Sequence, residues 1–427
     1  MNVLISGAGI AGPVLAFFLA KTGARVTVVE KAHTMLTQGQ NIDLQGTATS
    51  VAKRMGVLDE ILRANTGEKG TQFVFANGRP YASFPVKEGF SATPTSQYEV
   101  LRGDLADILY RASKAHPNVK YLFDTTITKV VTNDDDSVIV ELNNGQRHSF
   151  DLLVAADGQW SRTRKFCFPN DAVEVVDKNM YVSYFTIPRV ASDNDLWNIH
   201  ITQDSKVLTT RPDSHGTTRA MISCMPQNES QKEQWQKASR SDKSTQHELL
   251  RREFVNAGWQ AQRMLQGLDD APDFYFQAVQ QIRMRKWSTG RVICLGDTAF
   301  APTPLTGMGT SLAINGAYVL AGELGKLSVG EHPSRAFQSY ESIFRPFVEQ
   351  SQSIPSFVPS IMHPVKAWKR LILQTSISTL AAIVYGFTSI PWLAGKYDVS
   401  NQEDFPLPHY ESFEGILEKE TKPIMTL

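Results

Sequence analysis

Near its start this 427-residue chain reads GAGIAGP, with Gly7, Gly9 and Gly12 in the spacing GxGxxG. In a strand–turn–helix context the first glycine permits a tight turn. The second lets backbone approach a pyrophosphate, and the third lets the helix pack closely on the strand. The helix N-terminus then offers N–H groups to phosphate oxygens. Glu30 lies 18 residues beyond Gly12, where a carboxylate can accept hydrogen bonds from ribose hydroxyls. An acid there disfavours a 2′-phosphate, so the tightly held ligand is FAD or NAD and not NADP. Two further motifs follow in order, DGQWSRTR from Asp157 and GDTAFAPTPLTGMG from Gly296. The chain has no Ser-His-Asp set, no metal-ligand spacing and no obvious acid–base pair, so no catalytic side chain and no metal is assigned.

The elements that must position these motifs are legible around them. NVLISG reads as a buried strand, IAGPVLAFFLAKTG as a helix ending near Gly23, and RVTVVEK as a second strand ending at Glu30. TQFVFANGRPYASF is a hairpin candidate around Asn77-Gly78. GDLADILYRASKAH is an amphipathic helix. Residues 127–158 alternate as a meander, with turns at Asp134-Asp135-Asp136 and Asn143-Asn144-Gly145, and end in the buried strand LLVAADG. From about Val173 to Lys286, short strands and a charged helical stretch suggest a second, sheet-based domain. RVICLGDTAF then returns to a buried strand and a long helix.

Composition sets the outer bounds. Hydrophobic content is 42%, charged content is 20%, and 43 basic residues balance 43 acidic ones, so no net field points to nucleic acid. Cys167, Cys224 and Cys294 lack CxxC spacing and suit a reducing compartment. The apolar N-terminus lacks the basic flank of a signal peptide. Leu371 to Gly395 contains no charged residue and is long enough to span a bilayer, but carries Ser, Thr, Gln and Pro391. The expectation is a buried or amphipathic helical cap. A peripheral membrane contact, favoured by Lys366, Lys369 and Arg370, and a true span remain as alternatives.

The three motifs, in this order and at these separations, resemble those of the single-component FAD-dependent aromatic hydroxylases, typified by p-hydroxybenzoate hydroxylase. The nearer resemblance is to tetracycline-inactivating and fungal secondary-metabolism flavin monooxygenases, over residues 1 to 350. It implies a mixed α/β fold, with a Rossmann-like FAD-binding domain, an interleaved β-sheet substrate domain and a helical C-terminal region. The expected division is 1–172 and 287–350 for FAD, 173–286 for substrate with a hairpin from 71–100, and 351–427 as a cap.

By that resemblance Gly7, Gly9 and Gly12 hold the FAD pyrophosphate, Glu30 with Lys31 the adenosine ribose end, and Arg102 the diphosphate. Asp43, within GQNIDLQG, contacts the flavin, and Asp297 binds the ribityl chain. Gly307, Gly309 and Thr310 aim N–H groups at the flavin's N1–C2=O edge. Asp157 and Arg164 are associated with FAD and the pyridine nucleotide. Plain structural roles stay open for several: a turn at Asp157-Gly158, a helix cap at Asp297, a surface residue at Arg102 and a loop carboxylate at Asp43. Phe300, Met308 and Ser311 depart from the family's usual histidine, glutamine and asparagine.

The resemblance implies an FAD-dependent monooxygenase, with NAD(P)H as transient co-substrate and oxygen transferred through a C4a-hydroperoxyflavin. The substrate would be aromatic, polyketide-like or terpenoid. Tyr181, Ser183 and Phe185, on alternate positions of MYVSYFTI, are candidate lining residues, with ordinary core as their alternative. A flavin dehydrogenase or oxidase on the same fold, and a non-catalytic escort protein, are the rival readings. A cytoplasmic monomer or homodimer is expected, with peripheral membrane contact left open.

Overall fold

The runs NVLIS, RVTVV, LLVA and VIC are apolar at nearly every position because each becomes a parallel strand covered on both faces. In the computed structural model, which describes residues 1–36, 39–86, 98–355, 357–388 and 405–413, they form one six-stranded sheet. Its order is Ser288–Thr289, Val292–Cys294, Leu152–Ala155, Asn2–Ser6, Arg25–Val29 and Val119–Leu122. All neighbours are parallel except the first pair. The helices Ala11–Lys21 and Gly309–Gly325 pack together over it, both apolar nearly all round and buried along most of their length. The three-stranded meander Ile127–Asn133, Val138–Leu142 and Arg147–Phe150 contributes Val138, Val140 and Leu142 to the same core.

A second sheet of seven strands stands against this unit. Its order is Tyr275–Met284, Val173–Ile187, Thr218–Cys224, Lys206–Pro212, Trp197–Ile201, Gly70–Val74 and Pro80–Pro85. The last two strands form a hairpin, joined in parallel to Trp197–Ile201, that carries residues from early in the chain to the far edge of this sheet. Residues 87–97, within the segment expected to feed that hairpin, lie outside the described residues. One sheet face is covered by three helices, Glu229–Ala238, Lys243–Phe254 and Ala261–Gln266. There Tyr181, Phe185, Leu208 and Ile222 meet Trp235, Leu250 and Phe254. The other face turns toward the first unit.

That packing places the candidate substrate-lining residues on the helix-covered face. Tyr181 and Phe185 belong to the core under the three helices, and Ser183 shares their strand face by alternation. All three are buried, as is Val182 of the opposite parity, so the covering helices and not burial distinguish the two faces. The opposite parity, Val182 and Tyr184, points toward the first unit. Because both faces are covered, the strand is apolar at both parities and does not advertise which is which.

The helix Ala367–Thr388 lies on this same inner face at the hairpin end. Leu373, Ile377, Ala381 and Val384 pack against Phe73, Ala82, Phe84 and Ile199, and the Ser378 hydroxyl donates to the Tyr81 carbonyl at 3.1 Å. Among the described residues no helix is long and apolar enough to cross a membrane. Residues 389–395 of the apolar run lie outside them.

Candidate functional site

The first turn is held by backbone geometry that excludes side chains. Gly7 has φ +110°, and a Cβ there would collide with the Ala156 carbonyl. A Cβ on Gly12 would strike the Gly7 carbonyl. Gly9 differs, because among the described residues the only atom within 4 Å of its missing Cβ is on the Arg102 guanidinium, 4.0 Å away. The protein therefore does not need that side chain absent for its own packing. An open backbone facing a guanidinium suits an approaching diphosphate.

Glu30 closes the loop from the other side. One carboxylate oxygen accepts the Ala8 N–H at 2.9 Å and the other the Ala32 N–H at 3.0 Å. Each keeps a lone pair for a sugar hydroxyl. Lys31 follows it, exposed.

Arg102 starts the helix Arg102–Lys114, its N–H bonded to the Gln40 carbonyl at 3.0 Å. Its charge reaches Asp297, the first residue of a short helix that follows Gly296. Asp297 is ringed by protein yet open to solvent, as a residue in a cleft is. Desolvation pushes its carboxyl above the usual range, and Arg102 partly counters that. Asp297 Oδ1 stands 3.9 Å from where a Gly309 Cβ would be, so Gly9, Arg102, Asp297 and Gly309 border one cleft.

The glycine-rich turn follows from its residues. Gly307 takes a left-handed φ of +66°, and the Thr306 hydroxyl accepts the Met308 N–H at 3.1 Å. Gly309 and Thr310 then open a 17-residue helix whose leading N–H groups have no intrahelical acceptor. The departures at this turn have structural partners. The Ser311 hydroxyl accepts the Gln45 N–H at 3.0 Å, tying the turn to the segment after Asp43. Phe300 is buried among Trp287 and Phe344, where a histidine would need a polar partner.

Asp157 and Arg164 stand at the edge of the fingerprint turn, with the Asp157 backbone against Gly7 and the Arg164 guanidinium on the residue after Asp297, and their side chains bond within the protein. Asp157 caps the helix Arg162–Cys167, accepting the N–H groups of Arg162 and Thr163 at 3.0 and 3.1 Å and the hydroxyls of Ser161 and Thr163. Arg164 is 4% exposed and donates to the carbonyls of Thr298 and Gln159. The Thr298 hydroxyl bridges to Gly158. The motif thus clamps the loop that carries Asp297.

Asp43 stands opposite Glu99 in the two-stranded ladder of Asn41–Asp43 with Glu99–Leu101. With Glu68 and Glu99 its charge faces Arg211, which projects from the second sheet and stacks 4.4 Å over Trp197. Burial alone would lower the Arg211 pKa, but Glu99 and Glu68 outweigh it and hold the guanidinium charged. This cluster, assembled from segments far apart in the sequence, has no local sequence signal.

A wall completes the site. Leu305, in the turn after Asp297, packs on the cluster of Met180, Val182 and Val279 of the second sheet, as do Tyr184 and Met221. The Tyr184 and Tyr275 rings stack at 5.1 Å, and the Tyr275 hydroxyl donates to Gln40 Oε1. Alternation at the correct parity was the only sequence trace of these residues.

Comparison with known proteins agrees with this geometry. The family described as "FAD binding domain" matches residues 1–353. A flavin-dependent monooxygenase from an unidentified prokaryote is 35% identical over 359 residues, 84% of this chain and 89% of that one. Monooxygenase CTB7 of Cercospora beticola is 36% identical over 385 residues, 88% of this chain and 90% of that one. The crystal structure of tetracycline destructase Tet(55) superposes with a TM-score of 0.75 at 30% identity, covering 96% of this chain and 98% of that one.

Proposed function

This chain belongs to the FAD-binding-domain family and is an FAD-dependent monooxygenase; on that premise we propose that it spends NAD(P)H and O2 to place one oxygen atom on an apolar aromatic or polyketide-like molecule. Bound in the cleft, FAD would take electrons from NAD(P)H and supply the activated oxygen. This chain's residues would do the rest. The open backbone at Gly9 and the Arg102 guanidinium would bind the diphosphate, and Glu30 the adenosine ribose. Asp297 would anchor the ribityl hydroxyls. The leading N–H groups at Gly309 and Thr310 would stabilise negative charge at the ring edge.

The wall of Val182, Tyr184, Met221 and Val279 would exclude water and hold an apolar substrate over that edge. In this division of labour residues 1–172 and 287–350 hold the cofactor, and 173–286 the substrate. The observation that carries the reading is the cleft shared by Gly9, Arg102, Asp297 and Gly309 directly beside that wall. Its test is NAD(P)H oxidation and H2O2 release across a panel of apolar phenols and polyketides. A substrate should speed oxidation while lowering H2O2 per turnover. Oxidation indifferent to every compound, with H2O2 as the sole product, would overturn it in favour of an oxidase.

A further inference from the structure

We propose that the outward face of the helix Ala367–Thr388 is a docking surface for an anionic phospholipid bilayer, on which the helix lies flat without crossing. Of the nineteen large apolar side chains exposed among the described residues, nine fall between Phe357 and Tyr385. On the helix itself Leu371, Ile372, Leu380 and Ile383 are 64, 57, 54 and 50% exposed, while Leu373, Ile377, Ala381 and Val384 face the sheet. The outward face between them is filled by Thr375, Ser376 and Thr379, hydroxyl residues without charge. Trp368 and Tyr385 stand exposed toward its two ends, and such rings favour the headgroup level.

Charge identifies the occupant. From Gln350 to Tyr397 the sequence contains no Asp or Glu, while Lys366, Lys369 and Arg370 gather at the helix start. An apolar face beside cations with no acid is the pattern of an interfacial helix on anionic lipid. A second copy fits less well, since pairing this face with itself would crowd the cations with no carboxylate on the segment to meet them. The helix also lies on the sheet face that carries Val182, Tyr184 and Met221, so docking would set the substrate side of the molecule toward the lipid.

The test is sedimentation of the full-length, FAD-loaded enzyme with vesicles of phosphatidylcholine alone and of phosphatidylcholine mixed with phosphatidylserine. Binding should require the anionic lipid and weaken with salt. Each basic residue at such a surface is worth about 1 kcal/mol, so Lys366→Gln/Lys369→Gln should lower the partition coefficient roughly 30-fold. Leu371→Asn/Ile383→Asn should abolish pelleting while FAD content and NAD(P)H oxidation in vesicle-free buffer stay unchanged. Pelleting that ignores both pairs of substitutions, or no pelleting at all, would overturn the proposal. So would a concentration-dependent dimer, seen by analytical ultracentrifugation without vesicle binding and lost in Leu371→Asn, which would assign the face to a second copy.

Discussion

At the scale of single residues, two glycines of one fingerprint have different physical jobs, and substitutions should separate them. Gly12→Ala drives a methyl into the Gly7 carbonyl and should cost folding stability, lowering Tm. Gly9→Val meets open space and should keep the Tm of the FAD-free protein while FAD retention is lost. A Gly9→Val protein that purifies with full flavin would contradict the cleft. Arg164→Ala leaves the Thr298 and Gln159 carbonyls without their donor, an expected loss of about 1–3 kcal/mol in stability. Its NAD(P)H affinity should hold, where the motif alone suggested it would fall. Equilibrium denaturation and NAD(P)H titration of that variant distinguish the two. The glycines were legible because a backbone that tolerates no side chain leaves its mark in residue type. The bond from Arg164 to Thr298 was not, because Thr298 lies far along the chain and nothing local announces it.

At the scale of elements, strand parity decides which side chains lie under the three helices and which face the first unit. Phe185→Ala empties part of the core under the three helices and should destabilise by about 3–5 kcal/mol. Met221→Ala, at a partly buried position of the opposite parity, should instead shift KM or the product pattern with FAD content unchanged, whereas Val182→Phe overpacks a buried position and should also lower Tm. Steady-state kinetics beside thermal melts check both. The strand–turn–helix–strand opening and the meander were readable from their periods. Parity in MYVSYFTI was not, because a strand buried on both faces loses the apolar–polar alternation that would orient it. The C-terminal helix was legible as apolar, but its two-sidedness emerges only when the sheet claims one face.

At the scale of the whole molecule, buried polar links that no single stretch encodes tie distant segments together. Arg211→Met would strand Glu68 and Glu99 as buried charges and should cost about 3–5 kcal/mol. A second link adds a pH dependence. His363, buried, accepts from the Ser223 hydroxyl at 2.9 Å and pairs with the Pro359 carbonyl at 2.8 Å, and burial lowers its pKa to about 4 from an ordinary 6.5. Between those values the unfolded chain binds more protons, so stability rises with pH across that window. As pH falls through it, on the order of 3 kcal/mol is lost. Thermal melts should therefore decline from about pH 6.5 downward, and His363→Gln, which cannot charge, should flatten the decline. His200, also buried and lowered, adds to the slope in the same direction.

The cleft beside Leu305 and the apolar wall should deliver one atom of O2 to an organic molecule. The direct measurement is the product mass after turnover under isotopically heavy O2 with NAD(P)H and an apolar phenolic or polyketide substrate that stimulates oxidation. One heavy oxygen atom per product molecule is the predicted result. A product that gains no heavy oxygen, formed with stoichiometric H2O2, would instead make the protein a dehydrogenase or oxidase on a monooxygenase fold.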